Sequence, residues 1–162
     1  MDARIGLARK SARNLLTNLE IKAAPVRLSP IVKELKYNVS AGDLSDGLSG
    51  VQITVSDECF ILYNKNHHVH RKRFTVAHEI GHHVLEHRIT GHNHNLTSKD
   101  DNEVEANQFA AELLMPLEFL KEEISNGTDT AKSLALRFWV SNEAMSWRLL
   151  DTGLYKKLSS WN

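Results

Sequence analysis

The sequence predicts an α+β fold: mostly helical, with a small antiparallel sheet and a C-terminal pair of helices patterned like a helix-turn-helix. Three observations carry that expectation. Residues 50–63 read as two short strands, and from about Lys72 to the end the apolar spacing is helical. The length, 162 residues with 41% hydrophobic side chains, suits one compact domain or one domain with a small appendage. We divide it into a main domain, 1–127, and a helical C-terminal segment, 128–162, packed on that core.

Taken in order, residues 3–19 place Ile5, Leu7, Ala8, Ala12, Leu15, Leu16 and Leu19 close to helical spacing. Ser29-Pro30 reads as a helix start, with the hydroxyl as cap and proline at the first position, followed by Ile31, Val32 and Leu35. Gly, Ser and Asp residues between 40 and 50 read as turns. Gly50 to Val55 alternates apolar and polar side chains, and Cys59 to Tyr63 is a short apolar run. With Ser56-Asp57-Glu58 between them, the pair predicts an antiparallel hairpin. Helices follow, interrupted near 88–100, at Asn126-Gly127 and near Val140.

Composition narrows the function. Twenty basic and twenty acidic side chains balance, which speaks against bulk attraction to nucleic acid or an anionic membrane. A single cysteine excludes an internal disulfide. No apolar run reaches the ~18 residues of a membrane span, and the first residues lack the apolar core of a signal peptide. A cytoplasmic protein is expected. The nine histidines are the oddity, because all of them lie between residues 67 and 94.

Within that stretch, Arg73-Phe74-Thr75-Val76-Ala77-His78-Glu79-Ile80-Gly81-His82 contains HExxH. Residues four apart share one helix face, so His78 and His82 can aim at a single cation. Glu79 lies about 100° around the axis and can reach a water beside the ion. Gly81 suggests that another backbone packs closely there, since glycine inside a helix costs about 1 kcal/mol relative to alanine. His83-Val84-Leu85-Glu86-His87 spells the inverted motif, HxxEH, and position alone does not separate the two registers.

A catalytic zinc usually takes three protein ligands. Downstream, Asn102 to Pro116 forms a helical pattern with small residues on one face, suited to lying against Gly81. Glu103 and Glu105 are the candidate third ligands. Glu103 shares its face with Asn107, which could orient a ligating histidine from behind. Glu105 points about 160° away, and the better reading for it is a solvated surface carboxylate.

Together RFTVAHEIGHH and EVEANQFAAELLMP resemble the ImmA/IrrE family of metallopeptidases over roughly residues 50–155. The resemblance implies a zincin-like fold for the 1–127 domain, His78 and His82 as ligands of Zn2+, and Glu79 as the catalytic carboxylate. It favours the HEIGH register and selects Glu103 as third ligand, with Asn107 where many glutamate zincins carry Asp. It also implies a site-specific endopeptidase whose protein substrate is a helix-turn-helix repressor of a phage, mobile element or stress pathway. Two other functions predict different behaviour: a non-enzymatic regulator that binds DNA or a repressor around a structural zinc, and a toxin of a toxin–antitoxin pair.

In the C-terminal segment, Thr128-Asp129 reads as a cap for a helix through Ala131, Leu134, Ala135 and Phe138. Ser141 caps a second, which stops at Gly153. A DNA-reading role would turn Asn142, Glu143, Ser146 and Arg148 outward. Acidic neighbours offset Arg137 and Arg148, so direct DNA binding is not expected. His67, His68 and His70 read as a solvated entry loop, His92 and His94 as surface residues, and Cys59 as a buried strand residue. Tyr63, His83 and Tyr155 are candidates to stabilise an oxyanion, and residues 58–64 are the expected edge strand for substrate.

Overall fold

Three strands form a mixed sheet in the order β1-β3-β2, where β1 is Asn38–Gly42, β2 Gly50–Val55 and β3 Glu58–Asn64. The computed structural model describes residues 3–45, 47–56, 58–87 and 100–159. The expected hairpin is present: β2 and β3 pair antiparallel, from Val55 opposite Glu58 to Gly50 opposite Tyr63. Asp57 of its turn lies outside the described residues. The sheet is not purely antiparallel, however. Asn38–Gly42, expected to lead into turns, is a strand that pairs parallel with β3, Asn38 opposite Phe60. Only Val39 in it is strongly strand-forming, so its conformation comes from the ladder more than from its own residues. β3 is consequently the central strand, and residues 58–64 offer no free edge.

The helices are α1 (Ile5–Asn18), α2 (Leu28–Glu34), α3 (Val69–Val84), α4 (Asp101–Leu114), α5 (Leu117–Ser125), α6 (Ala131–Phe138) and α7 (Asn142–Thr152). Ser29 lies inside α2, and Arg27 stands at the cap position without a side-chain bond. α3 starts at Val69, where the His68 side chain accepts from the His70 N–H. His68 is thus an exposed helix cap, while His70, expected in the same solvated loop, lies inside α3.

α3 packs on β2 and β3 and also against α4, and α4 in turn packs against α1. The buried residues of α1 are Ala8, Ala12 and Leu16, spaced by four, so small side chains let the helix sit close. Gly81 does meet a tight neighbour, although it is the ring of Phe109 and not a small residue. A Cβ at Gly81 would come within 3.0 Å of Phe109 Cδ1. Phe109, Phe138, Ile61, Ile80 and Leu113 are among the fully buried core residues.

At the C-terminal end, Pro116 precedes α5, and Thr130, not Thr128 or Asp129, caps α6 through the Ser133 N–H. Trp139 turns the chain in the left-handed region (φ 60°), Ser141 caps α7 and Gly153 (φ 71°) ends it. Arg148 does not face outward as a DNA-reading residue would. It is 2% exposed, ion-paired with Glu112 of α4, and it donates from Nε to the Met115 carbonyl at 3.1 Å. Among the described residues, no helix is long and apolar enough to cross a membrane.

Candidate metal centre

Two helix segments build the centre. On α3, His78 and His82 stand one turn apart with their rings at 75° and Nε2 atoms 2.9 Å from each other. α4 begins where Asp100 accepts from the Asn102 N–H at 3.0 Å, which puts Glu103 in its first turn. There the helix dipole favours a carboxylate. Glu103 reaches both imidazoles, with Oε2 3.2 Å from His78 Nε2 and Oε1 3.2 Å from His82 Nε2. All three side chains are buried, and they form a group whose donor atoms lie within 4.8 Å of one another.

The donor set fits a metal ion. His78 Nδ1 lies 2.9 Å from Asn107 Oδ1, an oxygen that can only accept, so the His78 proton sits on Nδ1 and its Nε2 lone pair faces Glu103. A lone pair and a carboxylate turned toward each other in a buried place call for a positive charge between them. Around a tetrahedral ion with bonds of ~2.0–2.1 Å, neighbouring donors stand about 3.3 Å apart. The separations of 2.9, 3.2 and 3.2 Å lie just inside that value. Two nitrogens and one oxygen also leave a fourth position for water or substrate.

Glu105 overturns its expected role. It is 2% exposed, not solvated. Its partners are Arg4, with Nη2 2.8 Å from Oε2, and His87, with Nε2 3.0 Å from the same oxygen. Burial by itself would raise the Glu105 carboxyl, but hydrogen bonds from the Arg4 side chain, the Arg4 backbone and His87 bring it down to about 2. Glu103 and Glu105 therefore both turn inward, to different partners.

The inverted motif does not assemble. His83 is exposed and meets Gln52 Nε2 at 3.2 Å. His87 instead lies behind His82, Nδ1 to Nδ1 at 2.9 Å. What brings it there is the end of α3. Glu86 takes a left-handed conformation (φ 55°), and the amides of Glu86 and His87 bond back to the carbonyls of His83 and His82. This helix stop usually signals itself by a glycine, which the sequence lacks here. His87 is the contributor that sequence reading assigned only to the wrong register. Burial pushes its pKa down, a tendency the Glu105 bond opposes.

Glu79 is 1% exposed and turns toward the sheet. Gly50, the first residue of β2, lies so close that a Cβ there would stand 2.3 Å from Thr75 Cγ2 and 3.4 Å from Glu79 Oε1. The start of β2 is therefore pressed against the turn of α3 that carries Glu79. Of the oxyanion candidates, Tyr63 is the ladder partner of Gly50, His83 stacks edge-on with Tyr37, and Tyr155 lies in the short 3-10 turn after α7. Cys59 is a buried strand residue, as expected. Burial pushes its thiol up, Gln52 lowers it and the charge of Glu79 raises it again. His92 and His94 lie outside the described residues.

Comparison with known proteins came to three results. The sequence matches the peptidase family described as the IrrE N-terminal-like domain over residues 32–150. No curated protein matches. Among solved structures, the fold is similar to a Mycobacterium tuberculosis transcriptional regulator, with a TM-score of 0.61 at 16% identity; the match covers 88% of this chain and 46% of that one. This chain thus spans about half the length of that structure, and the likeness is one of fold.

Proposed function

The chain belongs to the IrrE N-terminal-like domain family, and from that premise we propose that it is a zinc-dependent endopeptidase acting on a regulatory protein. The observation that carries the reading is the buried convergence of His78, His82 and Glu103, one residue from a buried Glu79. When bound, the zinc supplies Lewis-acid polarisation of the scissile carbonyl and lowers the pKa of the attacking water towards ~7.

The chain's own residues do the rest. His78, His82 and Glu103 hold the ion, and the Asn107 oxygen keeps the His78 proton on Nδ1. A Glu79 carboxylate oxygen takes the proton of the attacking water and returns it to the leaving amine nitrogen, so that one peptide bond and one water become a carboxylate and an amine. The closed surroundings of Glu79 hold its carboxylate in one orientation while that proton moves. The outer edge of β2, which begins beside Glu79 and pairs with no further strand among the described residues, docks the substrate backbone as an added strand. This replaces the dock expected at residues 58–64.

The substrate class follows from the family resemblance, which points to a helix-turn-helix repressor. The similar solved structure is a transcriptional regulator, in keeping with work in gene regulation. The test is Glu79→Gln. Zinc content should remain at one per chain while cleavage of the repressor falls by the ~10²–10⁴ of a lost general base. Cleavage at the wild-type rate would remove Glu79 from the mechanism.

A further inference from the structure

His78 and His82 are supported from behind in different ways. Behind His78 stands one amide oxygen. Behind His82 stands a second imidazole, and only one of the two facing Nδ1 atoms, 2.9 Å apart, can carry the hydrogen between them. The far side of His87 decides which. There Nε2 lies 3.0 Å from Glu105 Oε2. Arg4 grips that carboxylate through its backbone N–H at 2.7 Å, Nε at 3.0 Å and Nη2 at 2.8 Å. A carboxylate bound in this way only accepts, so His87 carries its hydrogen on Nε2. In the neutral ring Nδ1 is then bare and accepts from His82 Nδ1–H. The lone pair of His82 is left on Nε2, the atom that faces Glu103.

We infer that Arg4, Glu105 and His87 are positioning residues that fix His82 as an Nε2 ligand, acting through one hydrogen-bonded chain that starts at the N-cap of α1. The inference deepens the metal-centre reading and rests on it. Arg4 lies outside residues 32–150, the stretch that matches the family. The first helix of this protein therefore takes part in shaping the centre, through a bond that reaches across 101 positions of sequence. If the hydrogen stood on the other nitrogen of His87, His82 would point an N–H at the centre and could not ligate there.

The test uses the full chain, zinc as the probe, and the variants His87→Phe, His87→Asn and Arg4→Ala. Two measurements are made: zinc affinity by competition with a chelator, and NMR of the imidazole nitrogens of the metal-free protein, which reports where each hydrogen sits. In the wild type, His82 should carry its hydrogen on Nδ1. His87→Phe removes the acceptor, so that preference should disappear and zinc affinity should fall roughly 10–100-fold. His87→Asn keeps an acceptor oxygen close to the lost Nδ1 and should recover most of the affinity. Arg4→Ala, at a side chain 54% exposed, should give a smaller loss in the same direction. A metal-free wild type with the His82 hydrogen on Nε2 would overturn the inference. So would a folded Arg4→Ala and His87→Phe pair with wild-type affinity and wild-type imidazole signals. A wild type that binds no zinc would defeat the metal-centre reading alone, and the NMR measurement would still decide the hydrogen-bonded chain.

Discussion

The two ends of α4 bury the same functional group and use it differently. Near the start, Glu103 meets the Nε2 atoms of two imidazoles, each at 3.2 Å. Near the end, Glu112 meets Arg148, an ion pair with both side chains 1% exposed. At the far end the protein supplies the opposite charge itself, so the pair is complete and serves to anchor α7. At the near end the arrangement has the form of a receptor for charge brought from outside. Glu105 lies between the two cases: it is neutralised by Arg4, yet connected to the centre through His87. A buried carboxylate on one helix can be a strut, a relay or a ligand, and the partner decides which.

The contrast can be broken most forcefully at the anchor. Removing one member of a buried ion pair leaves the other uncompensated, so Arg148→Ala should destabilise the chain by about 3–5 kcal/mol in denaturant unfolding. The paired replacement Arg148→Met with Glu112→Leu should recover most of that loss. If the single variant is neutral, the anchor reading fails. For the same reason, damage from Arg148→Ala is no evidence of DNA binding. Next in size, Glu103→Gln should lower zinc affinity by more than the ~100-fold ceiling for residues behind the ligands. Asn107→Leu should cost roughly 10–100-fold in zinc affinity, read by the same competition assay. At the small end, Trp147→Ser, at a side chain 67% exposed on α7, should shift stability by no more than about 0.5 kcal/mol. A larger loss would mean that α7 is held by more than Arg148.

Local chemistry made the centre legible. HExxH places its histidines by helix period alone, and Glu103 with Asn107 four positions later announces a shared face. The hairpin was equally plain from its alternation. What escaped depends on distant partners. β1 is a strand because β3 lies beside it, and its own composition reads as turn. Glu105 looked solvated because the residue that neutralises it sits at the N-cap of α1, 101 positions away. His87 was visible only as part of a wrong motif, since the bend that returns it to His82 runs through a glutamate at φ 55°. Arg148 belonged to a plausible recognition surface until Glu112, 36 residues earlier, turned out to hold it inside.

Gly50 bears on how reliably the hairpin forms. Its Cα hydrogen occupies a place where a Cβ would collide with Thr75 Cγ2. A strand that slips by one residue brings Ser49 or Val51 to that place. Both carry a Cβ, and valine carries two methyl groups beyond it. The helix bearing His78, Glu79 and His82 therefore proofreads the pairing of β2 with β3, because a misaligned sheet cannot close against it. Any member of the ensemble that has docked the two has also set the strand beside Glu79 in its correct frame.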